Sequence, residues 1–470
     1  MTSILVAVAI FLALVLLLRL RERVRAKLDE WELLRKREAL LLRRDELTGA
    51  LNRSAFIADC AMRLRRADFR HALLLHIDLD YLKQINDGQG HDAGDAALRQ
   101  LGLVVRRCCP GALFGRLGGD EFALLLEADP LPDSAVVTAQ LFGDLAQPVW
   151  HKGRQLKLSA SIGVVKVAAG DGDVDEAMKR ADLALYESKR NGRAQATVFR
   201  REMMVDYKHL RFMERELRAA ILLNELELDY QPIFERDAAI RGWEALVRWR
   251  HPVRGRIPPN DFIPIAEQSL LIDMLGEWVL RRACLDFRDI PERLVGVNFS
   301  ASQFKRDDVV AMVQRVLGET GMPASRLVIE VTESVALNLH EDIIRRLQAL
   351  RAMGVRISLD DFGAGFCGFA YLRSFPIDSI KIDRAFVAKL GTTEADDVML
   401  TALSSVARAM GVSVLAEGIE TEEQLVLAKA AGCDFFQGYH LGRPQPVDAA
   451  QSAASAMTAD NDPGQNQLSA

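Results

Sequence analysis

Polar residues recur at the ends of apolar runs throughout the second half of the chain. The runs Val-Gly-Val-Asn298, Leu-Val-Ile-Glu330 and Ser-Ile-Lys381 show the pattern, and most successive runs are separated by about the length of one strand and one helix. Repeated strand–helix units predict an α/β fold with a parallel sheet, and polar groups at the carboxyl ends of barrel strands are typical of catalysis. The positions are Glu244, Asn298, Glu330, Asp360, Lys381, Glu417 and Gln437.

These positions have a structural explanation as well as a functional one. Asp and Asn are common helix caps, so any single position has an ordinary role. Glu and Lys are poor caps, however, and a ring of carboxylates repels itself unless cations are present. We therefore interpret the set as a site for two divalent metal ions that activate a water for attack on a phosphodiester, with Lys381 positioning that water or stabilising charge.

A second group of acidic residues lies in the first half of the chain. The apolar run Ala72–Ile77 ends in Asp78-Leu-Asp80, and Gly118-Gly119 separates two apolar runs just before Asp120 and Glu121. A Gly-Gly pair between strands predicts a hairpin, which would bring these carboxylates together. Each acidic turn alone is more often structural. Their combination predicts a magnesium site beside a phosphate.

The N-terminal segment is uncharged. Residues 3–18 are almost wholly apolar, slightly fewer than the roughly 17–25 residues of a spanning helix. Basic residues at Arg19, Arg21, Arg23, Arg25 and Lys27 follow. The positive-inside rule then predicts a single-pass anchor in the inner cell membrane with the later domains in the cytoplasm. A cleaved signal peptide is the alternative, but the basic start and the small-residue cleavage site are missing.

The composition of the chain limits the classes of partner that we expect it to bind. The formal net charge of −5 gives no reason to expect nucleic-acid binding, and the six cysteines lack zinc-type spacing. A reduced, cytosolic main body is therefore expected. In residues 21–44, apolar positions at 4–3 spacing predict a short coiled coil that would pair two chains in a homodimer. A solvated connector is the alternative.

The chain is predicted to contain six segments. These are a transmembrane anchor (1–20), a helical or coiled-coil linker (21–44), a palm-like α+β domain (45–200), a linker helix (201–224), a barrel domain (225–447) and a tail (448–470). The tail is rich in Ala, Ser, Asp, Gln and Asn, and we expect it to be disordered.

The first large domain resembles the GGDEF diguanylate cyclases. The shared motifs are Asp45–Arg53, Asp78–Asp95, Gly118–Phe122, Ser161–Gly163 and Ala181–Arg193, in family order. The resemblance implies a fold like the nucleotidyl-cyclase palm, with GTP as substrate. It also implies the following roles: Asp78, the Leu79 carbonyl and Asp120 as metal ligands, Asp120 and Glu121 as catalytic groups, Asn86 and Asp95 as guanine contacts, and Lys83, Lys189 and Arg193 as phosphate contacts.

The chain departs from the GGDEF pattern at one site. The family's inhibitory product site is an Arg-x-x-Asp shortly before the Gly-Gly motif, and Cys109-Pro-Gly-Ala112 stands at those positions. Feedback through that site is therefore expected to be absent.

The barrel segment resembles the EAL phosphodiesterases, a (β/α)8-type fold. The motifs include Glu244-Ala-Leu-Val-Arg248, Glu330-Val-Thr-Glu333, Asp360-Asp-Phe-Gly363 and Gln437-Gly-Tyr439. The resemblance implies these roles: Glu244, Asn298, Glu330, Asp360 and Asp361 as ligands of Mg²⁺ (or Mn²⁺), Lys381 and Glu417 as partners of the attacking water, Glu333 as a support of the loop after Asp361, and Arg248 and Gln437 as substrate contacts. That loop departs from the family at Ala364, Phe366, Cys367 and Gly368.

The two resemblances together predict an enzyme of cyclic-di-GMP turnover. The barrel is expected to hydrolyse cyclic-di-GMP to linear pGpG, and the first domain is expected to bind GTP and to be capable of synthesis. GTP binding that activates the barrel is a further hypothesis. The alternatives are a protein that is mainly a diguanylate cyclase and a non-catalytic cyclic-di-GMP receptor or scaffold.

Overall fold

A computed structural model describes residues 43–171, 173–290, 292–333, 341–363 and 375–460, together with positions 21 and 27. The chain divides into two compact units, 1–209 and 210–470. The predicted anchor, nearly all of the predicted coiled coil and the altered loop positions 364–368 lie outside the described residues. Within the described ranges, no helix is both long enough and apolar enough to cross a membrane.

The first unit contains eight strands in its described part. They are β1 (Leu51–Asn52), β2 (His71–Leu79), β3 (Leu113–Gly118), β4 (Glu121–Glu127), β5 (Val149–His151), β6 (Arg154–Leu156), β7 (Ala160–Ala168) and β8 (Ala196–Val198). Six of them form a central sheet in the order β1-β3-β4-β2-β7-β8, and β5 and β6 form a separate hairpin. The predicted hairpin around Gly118-Gly119 is present as the antiparallel pair β3–β4.

Helices pack on both faces of this sheet. They are Arg53–Leu64, Leu82–Gln89, His91–Cys108, Ser134–Leu145 and Val174–Arg190. Successive residues of β2 enter different cores, because side chains alternate along a strand. Leu73 packs in one core with Leu101, and Leu74 packs in the other with Ala181. Gly163 permits close contact with the last helix, since a Cβ there would lie 2.1 Å from the Ala181 carbonyl oxygen.

The second unit contains a closed barrel of eight strands. They are β9 (Leu226–Glu235), β10 (Ile240–His251), β12 (Leu294–Phe299), β13 (Leu327–Thr332), β14 (Arg356–Phe362), β15 (Ser379–Ile382), β16 (Ser413–Ala416) and β17 (Phe435–Phe436). Two short strands extend the sheet, β11 (Gly255–Ile257) and β18 (Gln445–Pro446). The predicted (β/α)8-type architecture is present in this mixed α/β chain.

One strand of the barrel departs from the predicted parallel sheet. The seven barrel strands β10 and β12 to β17 are parallel to one another, whereas β9 runs antiparallel to both β10 and β17 and closes the ring. The cause is the connection: only residues 236–239 join β9 to β10, and a parallel neighbour needs a crossover of a dozen or more residues.

Helices surround the barrel and share its core. They are Pro259–Gln268, Leu271–Phe287, Val309–Thr320, Glu341–Ala352, Arg384–Val387, Glu394–Ala409 and Glu422–Ala430, with 3-10 turns at Gln303–Lys305 and Ala324–Arg326. A longer helix, Arg201–Leu223, precedes β9 where a linker helix was predicted. Since each parallel strand is followed by a return segment, the carboxyl ends of the strands meet at one rim.

The expected disorder of the tail is wrong for its first part. Residues Val447–Asp460 form a helix. Ala450 and Ala454, one helical turn apart, are buried against the barrel, and Gln451 donates from Nε2 to the Asp286 carbonyl oxygen over 2.6 Å. The composition misled the prediction because alanine has the highest helix propensity and needs little space to pack. Residues 461–470 lie outside the described part.

Candidate active site

The polar strand ends of the second unit meet at one rim of the barrel. Asn298 of β12 is the register partner of Glu330 of β13, and Asp360 of β14 is the partner of Thr332. Lys381 lies in β15, and Glu417 and Gln437 directly follow β16 and β17. Neighbouring parallel strands therefore bring together side chains that are far apart in the sequence.

Lys381 is the centre of this arrangement. Its side chain is buried, and its Nζ lies 2.7 Å from Glu417 Oε1, 2.8 Å from Glu330 Oε2, 3.2 Å from Glu244 Oε2 and 3.4 Å from Asp360 Oδ1. Four carboxylates thus surround one ammonium. A buried charge is tolerated only when it is paired and hydrogen-bonded, and this pairing meets that condition.

Amide side chains hold the Glu244 carboxylate from two sides. Asn298 donates from Nδ2 to Glu244 Oε1 over 2.8 Å, and Gln437 donates from Nε2 to Glu244 Oε2 over 2.9 Å. With Lys381 also on Oε2, both oxygens of Glu244 have partners. Glu244 is thereby fixed in one orientation.

The charges of the cluster shift its pKa values in different directions. Burial raises the pKa of Glu417 to about 8, with the nearby charges of Asp360 and Glu244 adding to the effect and Lys381 opposing it. Burial likewise holds the pKa of Glu330 well above its usual value. For Glu244, burial is outweighed by Lys381 and the two amides, so its pKa is lowered. Burial of Lys381 is outweighed by its four carboxylates, so its pKa is raised.

Three carboxylates of the rim are placed to share a cation. One oxygen each from Asp360, Asp361 and Glu417 lies within 4.8 Å of the others. Asp361 has φ +54°, a conformation that costs energy for a residue other than glycine and that is often found at functional sites. An all-oxygen donor set of this kind fits Mg²⁺ or Mn²⁺.

The first unit contains a second acidic group, at the tip of its central hairpin. Asp78, near the end of β2, is paired in the sheet with Glu121, and the backbone N–H of Leu79 donates to the Asp120 carbonyl oxygen over 3.1 Å. Lys189 Nζ lies 2.6 Å from Asp78 Oδ2. Burial raises the pKa of Asp78, Lys189 opposes this, and the charge of Asp120 adds to it. Asp78, Leu79, Asp120 and Glu121 are therefore neighbours.

The residues predicted to bind the nucleotide lie on the surrounding elements. Lys83 and Asn86 are on the helix Leu82–Gln89, and Asp95 is on the next helix. Asn86 reaches that helix, since its Oδ1 lies 1.9 Å from where a Cβ of Gly94 would stand. Arg193, at φ +63°, lies with its guanidinium 5.5 Å from the centre of the Tyr81 ring. Their roles toward GTP stay predictions.

Comparison with known proteins gives two family matches. Residues 42–195 match the model "Diguanylate cyclase, GGDEF domain", and residues 214–444 match the EAL domain. The chain belongs to the tandem GGDEF–EAL family. It is 37% identical over 90% of its length to cyclic di-GMP phosphodiesterase NbdA of Pseudomonas aeruginosa. It is 36% identical over 86% of its length to the bifunctional diguanylate cyclase/cyclic di-GMP phosphodiesterase MucR of the same species.

This GGDEF–EAL chain spans only 55% and 60% of those two relatives. Among solved structures, it is similar to EAL enzyme Bd1971 in its cAMP and cyclic-di-GMP bound form, with 28% identity and a TM-score of 0.52. That match covers 64% of this chain and 82% of the other.

A cavity of about 240 Å³ opens at the rim of the EAL barrel. Its lining includes Glu244, Asp360, Lys381, Glu417 and Gln437, all predicted from the sequence. It also includes Gln231, Arg384, Gly418 and Glu420, which sequence reasoning missed, and Gly438 and Tyr439, which belong to a motif named from the sequence but were given no role. Most of these residues follow a predicted site residue by one to three positions in the sequence, and this closeness could have indicated them.

Five predicted EAL residues are not part of this lining. Asn298, Glu330 and Asp361 contact or neighbour the cluster around Lys381, whereas Arg248 and Glu333 have other surroundings. Arg248 donates from Nε to Asp229 Oδ2 over 2.8 Å, and Arg256 pairs with the same carboxylate. Glu333 is buried at the end of β13. The predicted substrate contact of Arg248 and the predicted loop support of Glu333 stay predictions.

Sequence reasoning placed Asp80 of the GGDEF unit in the acidic group but gave it no separate role. Asp80 is buried and accepts hydrogen bonds from the Ser159 and Ser161 hydroxyls and from the backbone N–H of Ala194. It thereby ties the end of β2 to the segment that carries Arg193. The sequence feature that could have indicated this role is the spacing of Asp78 and Asp80, two residues apart at the end of β2.

Proposed function

We propose that the EAL barrel hydrolyses cyclic-di-GMP to the linear dinucleotide pGpG. The observation that carries this proposal is the ammonium of Lys381, which gathers four carboxylates from four separate segments of the barrel at the edge of one cavity. The relatives named as cyclic di-GMP phosphodiesterases and the cyclic-di-GMP bound form of Bd1971 support the same substrate.

The proposed reaction is an in-line attack of water on one phosphodiester. A bond forms between the water oxygen and phosphorus, the bond from phosphorus to the 3′ oxygen of ribose breaks, and that oxygen takes up a proton. Glu417 is the proposed acceptor of the proton that the water loses. Lys381 Nζ lies 2.7 Å from Glu417 Oε1 and so holds this carboxylate in the cluster, and Asn298 and Gln437 hold Glu244 there as well.

The carboxylates fit a divalent cofactor. Asp360 and Asp361 would hold it, and Glu417 is near enough to share it or to hold its bound water. Mg²⁺ or Mn²⁺ bound there would supply Lewis-acid stabilisation of the phosphate charge. Glu244, Asn298 and Glu330 are the remaining proposed ligands and stand in the same cluster.

A turnover assay tests the proposal. The full-length protein, purified in detergent, is incubated with cyclic-di-GMP and Mg²⁺ or Mn²⁺, and pGpG is measured by chromatography. We expect product from the wild type and none above background from Glu244→Ala. Binding of cyclic-di-GMP without any product would contradict the proposal and identify a receptor. Repeating the assay with GTP tests whether the GGDEF unit activates the barrel.

We further propose that the GGDEF unit binds GTP and joins two GTP molecules into cyclic-di-GMP. The supporting observation is the convergence of Asp78, Asp120 and Glu121 at one hairpin tip, with Lys189 beside them as a phosphate contact. Asp120 is the proposed assistant of the attacking 3′ hydroxyl, and Mg²⁺ the proposed ion. Each unit would hold one GTP, so synthesis requires two chains, and we propose a homodimer paired through residues 21–44.

We propose that residues 1–20 anchor the protein in the inner cell membrane with both enzymatic units in the cytoplasm. Support comes from the uncharged residues 3–18 and the basic residues that follow. Fractionation of cells that express the full chain tests this. Recovery in the membrane pellet after a high-salt wash is expected, and recovery in the supernatant would contradict it.

A further inference from the structure

Arg384 differs from the other cation that lines the EAL cavity. Within the described lining, the cationic side chains are Lys381 and Arg384. Lys381 is buried and already contacts four carboxylates. Arg384 is exposed and makes no ion pair or side-chain hydrogen bond with any residue of the described part of the chain. It is therefore available for a ligand.

The base of the Arg384 side chain is held in place. Asp383 caps the short helix Arg384–Val387 by accepting from the backbone N–H of Ala385 over 2.7 Å. Gly418, next to Glu417, packs directly on Arg384: a Cβ at Gly418 would lie 2.4 Å from the Arg384 Cβ. The base of the Arg384 side chain is therefore fixed next to Glu417 and its neighbours. The flexible part of the side chain allows the guanidinium to contact a ligand in the cavity.

The cavity is lined by carboxylates, so a phosphate that binds in it needs a nearby cation. Its lining carries the carboxylates Glu244, Asp360, Glu417 and Glu420. A cyclic dinucleotide brings two phosphodiesters, each with one negative charge. Divalent ions at the Asp360–Asp361 pair would neutralise the one under attack, but the second phosphate enters the same acidic cavity. Unless it meets a cation it is repelled by Glu420 and its neighbours.

Arg248, the cation predicted from the sequence for a phosphate, is already engaged. Its Nε is 2.8 Å from Asp229 Oδ2, and it is not among the residues that line the cavity. Arg443 is also engaged, with its guanidinium 4.6 Å from the centre of the Tyr439 ring.

We propose that Arg384 binds the second phosphate of the cyclic dinucleotide, the one that is not cleaved in that turnover. The planar guanidinium forms paired hydrogen bonds to phosphate oxygens, which suits this task. Arg384 is then a substrate-positioning residue, and it favours ligands with two phosphodiesters over ligands with one. This inference rests on the proposed hydrolysis of cyclic-di-GMP.

Steady-state kinetics of the full-length protein test the inference. For Arg384→Gln we expect the KM for cyclic-di-GMP to rise about tenfold with kcat changed less than about twofold, because uniform binding is lost. Arg384→Lys keeps the charge and is expected to recover part of the KM. Arg345→Gln is the matched control, since Arg345 is exposed and pairs only with Asp342 on its own helix in the described structure. Added KCl is expected to reduce the difference between wild type and Arg384→Gln.

A substrate with a single phosphodiester shows whether Arg384 acts on the phosphate under attack or on the second phosphate. With bis(p-nitrophenyl) phosphate, Arg384→Gln is expected to lose less than about twofold in kcat/KM. Equal losses on both substrates would place Arg384 at the reacting phosphate and overturn the inference, as would an unchanged KM for cyclic-di-GMP. If the wild type hydrolyses nothing, the proposed function fails on its own. Calorimetric binding of cyclic-di-GMP to wild type and Arg384→Gln then decides the inference, and equal affinities would overturn it.

Discussion

Oε1 of Glu330 lies 2.3 Å from the point where a Cβ atom of Gly296 would stand. The two residues belong to neighbouring parallel strands, β12 and β13. Glycine at position 296 therefore leaves the space through which the Glu330 carboxylate reaches Lys381, at 2.8 Å. Any side chain at Gly296 would compete with the buried cluster for that space.

Substitution Gly296→Ala is expected to displace Glu330. Overpacking of this kind costs about 1–3 kcal/mol of stability, and we expect hydrolysis to fall about tenfold or more because the cluster loses its geometry. Urea unfolding and kcat for cyclic-di-GMP measure the two effects. Gly318→Ala is the control: Gly318 is inside the helix Val309–Thr320, and a Cβ there meets nothing within 4 Å. Wild-type activity in Gly296→Ala would contradict the prediction.

Removal of the central ammonium by Lys381→Met is expected to be severe. Four carboxylates would lose their common cation, and breaking a buried ion pair typically costs about 3–5 kcal/mol. We expect kcat to fall about 10²–10³-fold, as for loss of a preorganised electrostatic group. Thermal unfolding should show a lower Tm, and added Mg²⁺ should raise the Tm of the variant more than that of the wild type.

Lys389→Met provides the matched control for Lys381→Met, because Lys389 is an exposed lysine soon after the same strand. Its Tm and kcat are expected to stay at wild-type values. A Lys381→Met protein that keeps both Tm and kcat would show that the carboxylates do not depend on the ammonium.

Most residues of the barrel rim could be predicted because each is marked by its immediate neighbours in the sequence. Most of the polar residues end an apolar run, and the strand–helix period implies that these ends meet. Glu244 is an exception, because it lies inside β10. The contacts among Glu244, Asn298, Lys381 and Gln437 follow from that rule. The antiparallel β9 did not follow, since its direction depends on a connection of a few residues rather than on the strand's own pattern.

Other features depend on partners that no sequence pattern indicates. The pairing of Arg248 with Asp229 joins residues on opposite strands of one hairpin, and the open position of Arg384 depends on Gly418 from another part of the chain. The helix Val447–Asp460 needed the barrel surface that buries Ala450. Tertiary packing determined the first two outcomes, and in the helix it added to the high helix propensity of alanine.

Arg116 joins the start of the GGDEF unit to its hairpin tip. It lies 3.0 Å from Asp45 Oδ2 through Nη1 and donates to the Gly119 carbonyl oxygen from Nε over 3.0 Å. Gly119 immediately precedes Asp120, so Arg116→Met is expected to loosen the hairpin and lower cyclic-di-GMP synthesis from GTP about tenfold. Hydrolysis by the barrel serves as the internal control and should not change. Equal synthesis by wild type and variant would contradict this role.

Asp45, the carboxylate that pairs with Arg116, gives a prediction about how stability depends on pH. Burial of Asp45 is outweighed by its hydrogen bonds from Thr48 and by Arg116, so its pKa is lowered. A lowered folded-state pKa stabilises the protein above the unfolded value of 3.8, and the stabilisation is lost as the pH falls through the folded value. Asp45→Asn should therefore have a lower Tm than wild type at pH 6, and the difference should shrink below pH 3.8. A constant difference would contradict the prediction.

The two acidic groups lie in different units and use no common side chain, so their activities should separate by mutation. Asp120→Ala is expected to abolish synthesis of cyclic-di-GMP from GTP while hydrolysis stays within about twofold of wild type, and Glu244→Ala should do the reverse. Both assays use radiolabelled nucleotide and the full-length protein. If Asp120→Ala also lowers hydrolysis in the absence of GTP, the hairpin tip of the GGDEF unit influences the barrel through the fold itself. If the loss occurs only with GTP present, GTP binding at the first unit regulates the second.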